Sequence, residues 1–155
     1  MQITLIAIGK NMSSWVCEGY AEYAQRMPND YHLELIEITP EKRTKNSDLT
    51  KIMSIEETKI TASIPKGNYC IALDRIGRTM DTKTLAKRLQ TWHDNQQSIC
   101  FIVGGPEGLS DTFLKSADET WSLSAMTLPH PLVRIVLSEQ IYRAWTITIN
   151  HPYHR

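Results

Sequence analysis

The sequence predicts an α/β domain with a largely parallel sheet and helices on both of its faces. Three observations carry this. Short β-type runs alternate with stretches of helical spacing along the whole chain. Several runs, such as Ile99-Cys100-Phe101-Ile102-Val103, are apolar without alternation, as strands covered on both faces are. Capping residues and prolines stand at the boundaries of the helical stretches. A chain of 155 residues is most simply one domain, spanning 1–155, and is long enough to bury a real core.

Taken in order, Ile3 to Ile8 is a first strand ended by Gly9. Ser13 or Ser14 caps a helix to about Met27, where Pro28 stops it; Val16, Tyr20, Tyr23, Ala24 and Met27 follow helical spacing. Leu33 to Ile38 is a strand with acidic residues interleaved. Asn46-Ser47-Asp48 caps a helix carrying Leu49, Ile52, Met53 and Ile60 that ends before Pro65. Tyr69 to Leu73 is a buried strand, and Asp81 or Thr82 opens a helix with Leu85, Leu89 and Trp92. Ser98 to Val103 is the next strand, and Ser110 caps a short helix through Lys115. Glu119 to Leu123 is a last short strand. Pro131 opens a long helix to about Ile149. Leu132, Val133, Ile135, Val136, Leu137, Ile141, Tyr142, Trp145, Ile147 and Ile149 cover more than one face of it, which points to burial on most sides, within one core or, as we favour, against its own sheet and a second subunit.

Bulk properties narrow the function. The 17 Lys and Arg balance the 17 Asp and Glu, so nucleic acid held mainly by its phosphates would need local patches, two chains or shape. No apolar run reaches the length of a membrane span, and the N-terminus reads as a strand, not a signal peptide; the expected location is the cytoplasm. Cys17, Cys70 and Cys100, odd in number and without CxxC spacing, read as small buried hydrophobes, not as disulfides or a zinc site.

Chemistry-bearing features concentrate in the last third. Gly104-Gly105-Pro106-Glu107-Gly108 follows a buried strand, at the end of the sheet where open α/β folds bind ligands. It is neither GxGxxG nor a P-loop, and a tight strand-to-helix turn would use the same residues. The segment Leu123-Ser124-Ala125-Met126-Thr127-Leu128 offers backbone groups to a flat, uncharged ring, or an apolar subunit contact. Pro129 and Pro131 hold His130 in an extended backbone. The ending His151-Pro152-Tyr153-His154-Arg155 either frays or brings two imidazoles, a phenol and a guanidinium to a base. Its HxxH lacks a third metal ligand, so no metal is expected. Glu139 and Arg143, four apart, form a helix-surface pair; Arg134, near the start of the last helix, could reach the mouth of the site; and Lys42, Arg43 and Lys45 are the one obvious basic cluster, on an exposed loop that could grip an RNA backbone.

Together these stretches resemble the RlmH family, small SPOUT-class methyltransferases acting on a pseudouridine of large-subunit ribosomal RNA. The resemblance rests on Leu35-Ile36-Glu37-Ile38, on Lys42-Arg43 with Lys45-Asn46, and on Gly104 through Ser110. It is densest in Trp121 through Arg134 and in Tyr142-Arg143-Ala144-Trp145 through Asn150-His151-Pro152-Tyr153-His154-Arg155, and looser from Leu49 to Gln97. Met126 is a conservative departure within it. The resemblance implies a SPOUT-type fold with a C-terminal deep trefoil knot, a homodimer, and S-adenosylmethionine as cofactor. It implies methylation of N3 of a pseudouridine in helix 69, within the ribosome. Cofactor contacts would fall on Leu73, Gly104, Gly105 and Leu123, Ser124, Ala125, Met126, Thr127 and Leu128. The catalytic set would be His130, Glu139, Arg143, Tyr153, His154 and Arg155, with one subunit's tail completing the other's site. The alternatives are a SPOUT methyltransferase with another RNA target and a ribosome-associated protein without catalysis.

Overall fold

The computed structural model describes residues 1–154. Five parallel strands, β1 (Gln2–Ile8), β2 (His32–Ile38), β3 (Tyr69–Thr79), β4 (Ile99–Val103) and β5 (Glu119–Ser122), form one sheet in the order β2-β1-β4-β3-β5. Between them run α1 (Ser14–Ala24), α2 (Leu49–Ser63), α3 (Thr82–Asp94), α4 (Asp111–Ser116) and α5 (His130–Thr148), and a turn of 3₁₀ helix, Pro152–His154, follows α5.

Two of the three inner strands, β1 and β4, sort side chains by parity, as a pleated strand must. Ile3, Leu5 and Ala7 of β1, with Ile99, Phe101 and Val103 of β4, meet Leu89 and Trp92 of α3 and Leu137 and Ile141 of α5 on one face. Ile6 and Ile8, with Cys100 and Ile102, meet Ile60 of α2 and Phe113 of α4 on the other. Helices therefore cover both faces, as expected. Asp48, Asp81 and Ser110 cap α2, α3 and α4 by accepting from the backbone N–H of Lys51, Thr84 and Phe113. Ser13 precedes α1 without a side-chain cap bond.

Several expectations shift. α1 ends at Ala24, short of Met27. Leu49 opens α2 at 46 % exposure and is not a core position. Cys100 is buried, but Cys70 is only half-buried and Cys17 is exposed. β3 runs past Leu73 to Thr79: its pairing with β5 shifts register between Leu73 and Arg78, both opposite Trp121. Gly77 makes that possible, because a Cβ there would lie 2.5 Å from the Trp121 backbone. The polar residues Asp74, Arg75 and Arg78 hide this extension from a hydrophobic pattern. The expected burial of α5 holds on most sides: Leu137, Ile141, Tyr142 and Ala144 are buried, while Leu132 and Ile149 are exposed. Among the described residues no helix is long and apolar enough to cross a membrane.

Candidate active site

β3 and β4 are in register to Leu73 and Val103, and the chain leaves β4 there as the glycine loop. Gly108 (φ 77°) donates from its N–H to the Gly105 carbonyl at 3.0 Å, closing a tight turn over Pro106 and Glu107. Gly104 has no room for a side chain, since a Cβ would stand 2.6 Å from the Gly108 carbonyl oxygen. The loop is thus a fixed backbone surface.

The second loop faces it. Ser122 Oγ donates to the Ser124 carbonyl at 2.9 Å, and Ser124 Oγ accepts from the Met126 N–H at 2.9 Å, so hydroxyls shape the turn itself. Between the two loops lies a cavity of about 590 Å³. Leu73, Gly104, Gly105, Leu123 and Ser124 line it, as do Met126, Thr127 and Leu128. Of the residues expected to hold the cofactor, Ala125 alone does not. Glu107 and Ser122, of the two loops themselves, also line it, as do Asp74, Arg75 and Val133, which were not expected at the site. Asp74 and Arg75 directly follow Leu73, which is the signal that would have found them.

His130 stands at the start of α5 and lines the same cavity. Its Nδ1 is buried without a hydrogen-bond partner among the described residues. Burial, then the nearby Arg134 charge, holds its pKa below the usual histidine value, so the ring is neutral at pH 7. Arg134 does not reach the cavity mouth. It is 1 % exposed and is spent on Glu37 Oε2 at 2.6 Å and the Gly9 carbonyl at 2.9 Å. The volume, the backbone-rich walls and the orphaned imidazole nitrogen fit a ligand with a flat ring and a polar tail, as S-adenosylmethionine is.

The remaining predicted residues cluster elsewhere on α5. Arg143 Nε donates to Glu139 Oε1 at 2.7 Å, and the Tyr153 hydroxyl donates to the same oxygen at 3.1 Å. The Arg143 guanidinium lies over the Tyr153 ring, 4.9 Å from its centre, and Tyr153 meets Tyr142 edge-on at 4.8 Å. Burial, with hydrogen bonds to Tyr23 and Glu139, pushes the Tyr153 phenol up to about 12. The tail through His154 is therefore docked and not frayed; Arg155 lies outside the described residues. Beside it, between α3 and α5, a groove of about 640 Å³ is lined by Lys83, Lys87, Arg143 and His154, with no carboxylate side chain lining it among the described residues.

Within one chain these two groups do not meet. His130 and Arg143 are about 20 Å apart along α5 at 1.5 Å per residue. Glu139, Arg143, Tyr153 and His154 form one cluster; His130 belongs with the two loops that line the cavity. The basic loop divides as well: Lys42 and Lys45 are exposed, but Arg43 is bound between Glu56 and Glu107. Among the described residues no group of three or more His, Cys, Asp or Glu is placed to hold a metal ion.

The profile of the family described as "Predicted SPOUT methyltransferase" matches residues 1–154. The "Ribosomal RNA large subunit methyltransferase H" of Coxiella burnetii (strain Dugway 5J108-111) is 49 % identical over 155 residues, covering 100 % of both chains. Among solved structures, that of a probable methylase family protein from Haemophilus influenzae Rd KW20 superposes with a TM-score of 0.60 at 13 % identity, over 99 % of this chain and 70 % of that one. A second, from Neisseria gonorrhoeae, gives a TM-score of 0.54 at 11 % identity over 90 % of this chain and 81 % of that one. At such identities these two likenesses speak for the fold alone.

Proposed function

The chain belongs to the SPOUT methyltransferase family, and on that premise we propose that it transfers a methyl group from S-adenosylmethionine to N3 of a pseudouridine in helix 69 of large-subunit ribosomal RNA. It would do so on the assembled ribosome, in the cytoplasm, as a homodimer of single-domain chains. The observation that carries the reading is the meeting of the glycine loop and the Leu123–Leu128 loop around one cavity, with a neutral His130 at its edge. The full-length relative from Coxiella burnetii supports the substrate class. A C-terminal trefoil knot belongs to the same reading, and the sheet order is compatible with it.

The bound cofactor supplies an electrophilic methyl group on a sulfonium. The protein must hold the nucleophile in line with that methyl and help the imide nitrogen lose its proton. The loop backbones from Gly104 and Leu123 to Leu128 hold the donor. His130, neutral and with no partner for its Nδ1 among the described residues, is the proton acceptor. Arg143, with His154, would stand near the ring carbonyls and favour the anionic base, a role the resemblance extends to Arg155, while Tyr153 would stack on it. Glu139 already binds Arg143 and Tyr153, so its part is to orient both.

The distance along α5 between His130 and the tail cluster supports a site shared by two chains. An apolar patch supports it too. Gly19 packs against Ile135 and Tyr23 against Tyr142, so α1 and α5 run alongside each other in the same direction. Trp15 (53 % exposed) and Leu132 (36 %) both lie about one turn before the Gly19–Ile135 contact, uncovered. The groove of Lys83 and Lys87 would take RNA phosphates, which reconciles a neutral chain with a polyanionic substrate. The test is mass spectrometry of large-subunit RNA from cells with and without this protein. Loss of N3-methylation at the helix 69 pseudouridine is expected; an unchanged modification overturns the assignment.

A further inference from the structure

Arg43 stands in the basic loop, yet its guanidinium is taken up by protein acceptors. Its Nη1 donates to Glu56 Oε1 at 2.8 Å and its Nη2 to Glu56 Oε2 at 3.0 Å. The other edge of the guanidinium grips Glu107: Nε reaches both carboxylate oxygens, at 3.0 and 3.1 Å, and Nη2 reaches Oε2 at 2.6 Å. The planar fork bridges two carboxylates, one on α2 and one at the corner of the glycine loop, a geometry that a lysine ammonium cannot reproduce. The Glu107 carboxyl is held below its usual range by Arg43.

Glu56 is out of place for a purely structural residue. It lies on the buried stripe of α2 with Ile52 and Ile60, and it is 3 % exposed. A buried ion pair is weak support for stability, and apolar residues of similar size often serve as well or better. The next residue on α2 does related work: Glu57 accepts from the Ser110 N–H at 2.6 Å and from Ser110 Oγ at 2.8 Å. Successive glutamates of one helix therefore fix the corner and the exit of the glycine loop. The loop rests directly on the clamp, because a Cβ at Gly105 would stand 3.0 Å from Arg43 Nη2 and 3.3 Å from Glu56 Oε2. All five of its residues, Glu107 of the clamp included, line the cavity.

We infer that Arg43, held between Glu56 and Glu107, is a positioning residue that keeps the Gly104–Gly108 loop in its cofactor-binding shape. Three glycines in five residues leave this loop much freedom to lose on binding. Fixing it beforehand removes that cost, and a loop competent for only a fraction of the time weakens apparent affinity by that fraction. The inference rests on the cofactor reading above.

Two variants test it. Arg43→Lys keeps the counter-charge for Glu56 and loses the fork. The double variant Arg43→Met with Glu56→Met removes the buried charge and its partner together, which protects the fold. For both, S-adenosylmethionine binding by calorimetry should weaken about tenfold, with KM for it rising in step and kcat at saturation within about twofold. The backbone amides of residues 104–110, Pro106 excepted, should exchange hydrogen faster in the ligand-free protein while those of β1 stay protected. A folded double variant that binds like the wild type and keeps its loop protection overturns the clamp. Absence of binding by the wild-type protein overturns the cofactor reading instead, and the exchange measurement still decides whether Arg43 orders the loop.

Discussion

Arg134 and Glu37 join the start of α5 to the end of β2 across 2.6 Å, and the two ends of that pair sit in different surroundings: the arginine side chain is 1 % exposed, the glutamate 35 %. The guanidinium also donates to the Gly9 carbonyl, so one side chain ties α5 to the ends of two strands. Arg134→Ala removes a buried charge and leaves a carbonyl and a carboxylate without their donor. It should cost about 3–5 kcal/mol in urea unfolding. Glu37→Gln keeps an acceptor near solvent and should cost about 1 kcal/mol. Equal effects would mean that the pair, and not the buried arginine, carries the junction.

The docked tail leads to a second prediction. Tyr153→Ala removes the ring under Arg143 and the hydroxyl on Glu139, and it should abolish most RNA methylation while leaving S-adenosylmethionine binding by calorimetry unchanged. Tyr153→Phe keeps the ring and should retain more activity. If two chains share each site, co-expressing a His130→Ala chain with an Arg143→Ala chain should recover activity that neither has alone, because one site of each mixed dimer is intact. Failure of the mixture to recover any activity would place both groups in one chain's site.

Glu119 is the acceptor on which an aromatic cluster closes. It takes hydrogen bonds from Arg88 Nη1 at 2.8 Å, Tyr69 Oη at 2.7 Å and Trp121 Nε1 at 2.7 Å. Arg88 in turn covers the rings of Trp92 and Trp121. Arg88 chiefly pulls the Glu119 carboxyl from an ordinary 4.5 to about 2, with Trp121 and Tyr69 assisting. A depressed folded-state pKa contributes stability that is complete above about 4.5 and is lost as pH falls toward 2. Glu119→Gln should therefore lower Tm at pH 7 and flatten the fall of Tm between pH 5 and 3. A slope identical to the wild type would show that other carboxylates govern acid unfolding.

Much of the architecture was legible because its signals are local. The apolar run at Ile99–Val103, the caps at Asp48, Asp81 and Ser110, and the prolines at the ends of α5 each act within a few residues. The cavity was legible in outline, since glycines after β4 and a loop of small residues before α5 both mark exposed backbone. What stayed hidden depends on partners distant in sequence. Arg43 looked solvated because Glu107 lies 64 residues away. Arg134 looked available because Gly9 lies 125 residues away. The end of β3 was missed because Gly77 matters only against the Trp121 backbone.

His130 is where chemistry should respond to pH. Its pKa lies below the ordinary 6.5, first through burial and then through Arg134; Asp74, Arg75 and Glu107 line the same cavity and add charges of both signs. A neutral imidazole can take a proton and a charged one cannot, so kcat/KM should be flat near pH 7. It should fall as pH drops through a midpoint below the ordinary histidine value, as an essential base in the free enzyme requires. NMR titration of the His130 ring should give the same midpoint. His130→Gln keeps a polar group at the cavity edge without a titrating nitrogen. It should lower kcat about 100-fold with little change in S-adenosylmethionine affinity, and the acid limb should disappear. An acid limb that survives in His130→Gln would assign the proton to another group, and the shared cluster of Tyr153, Arg143 and His154 would then be the place to look.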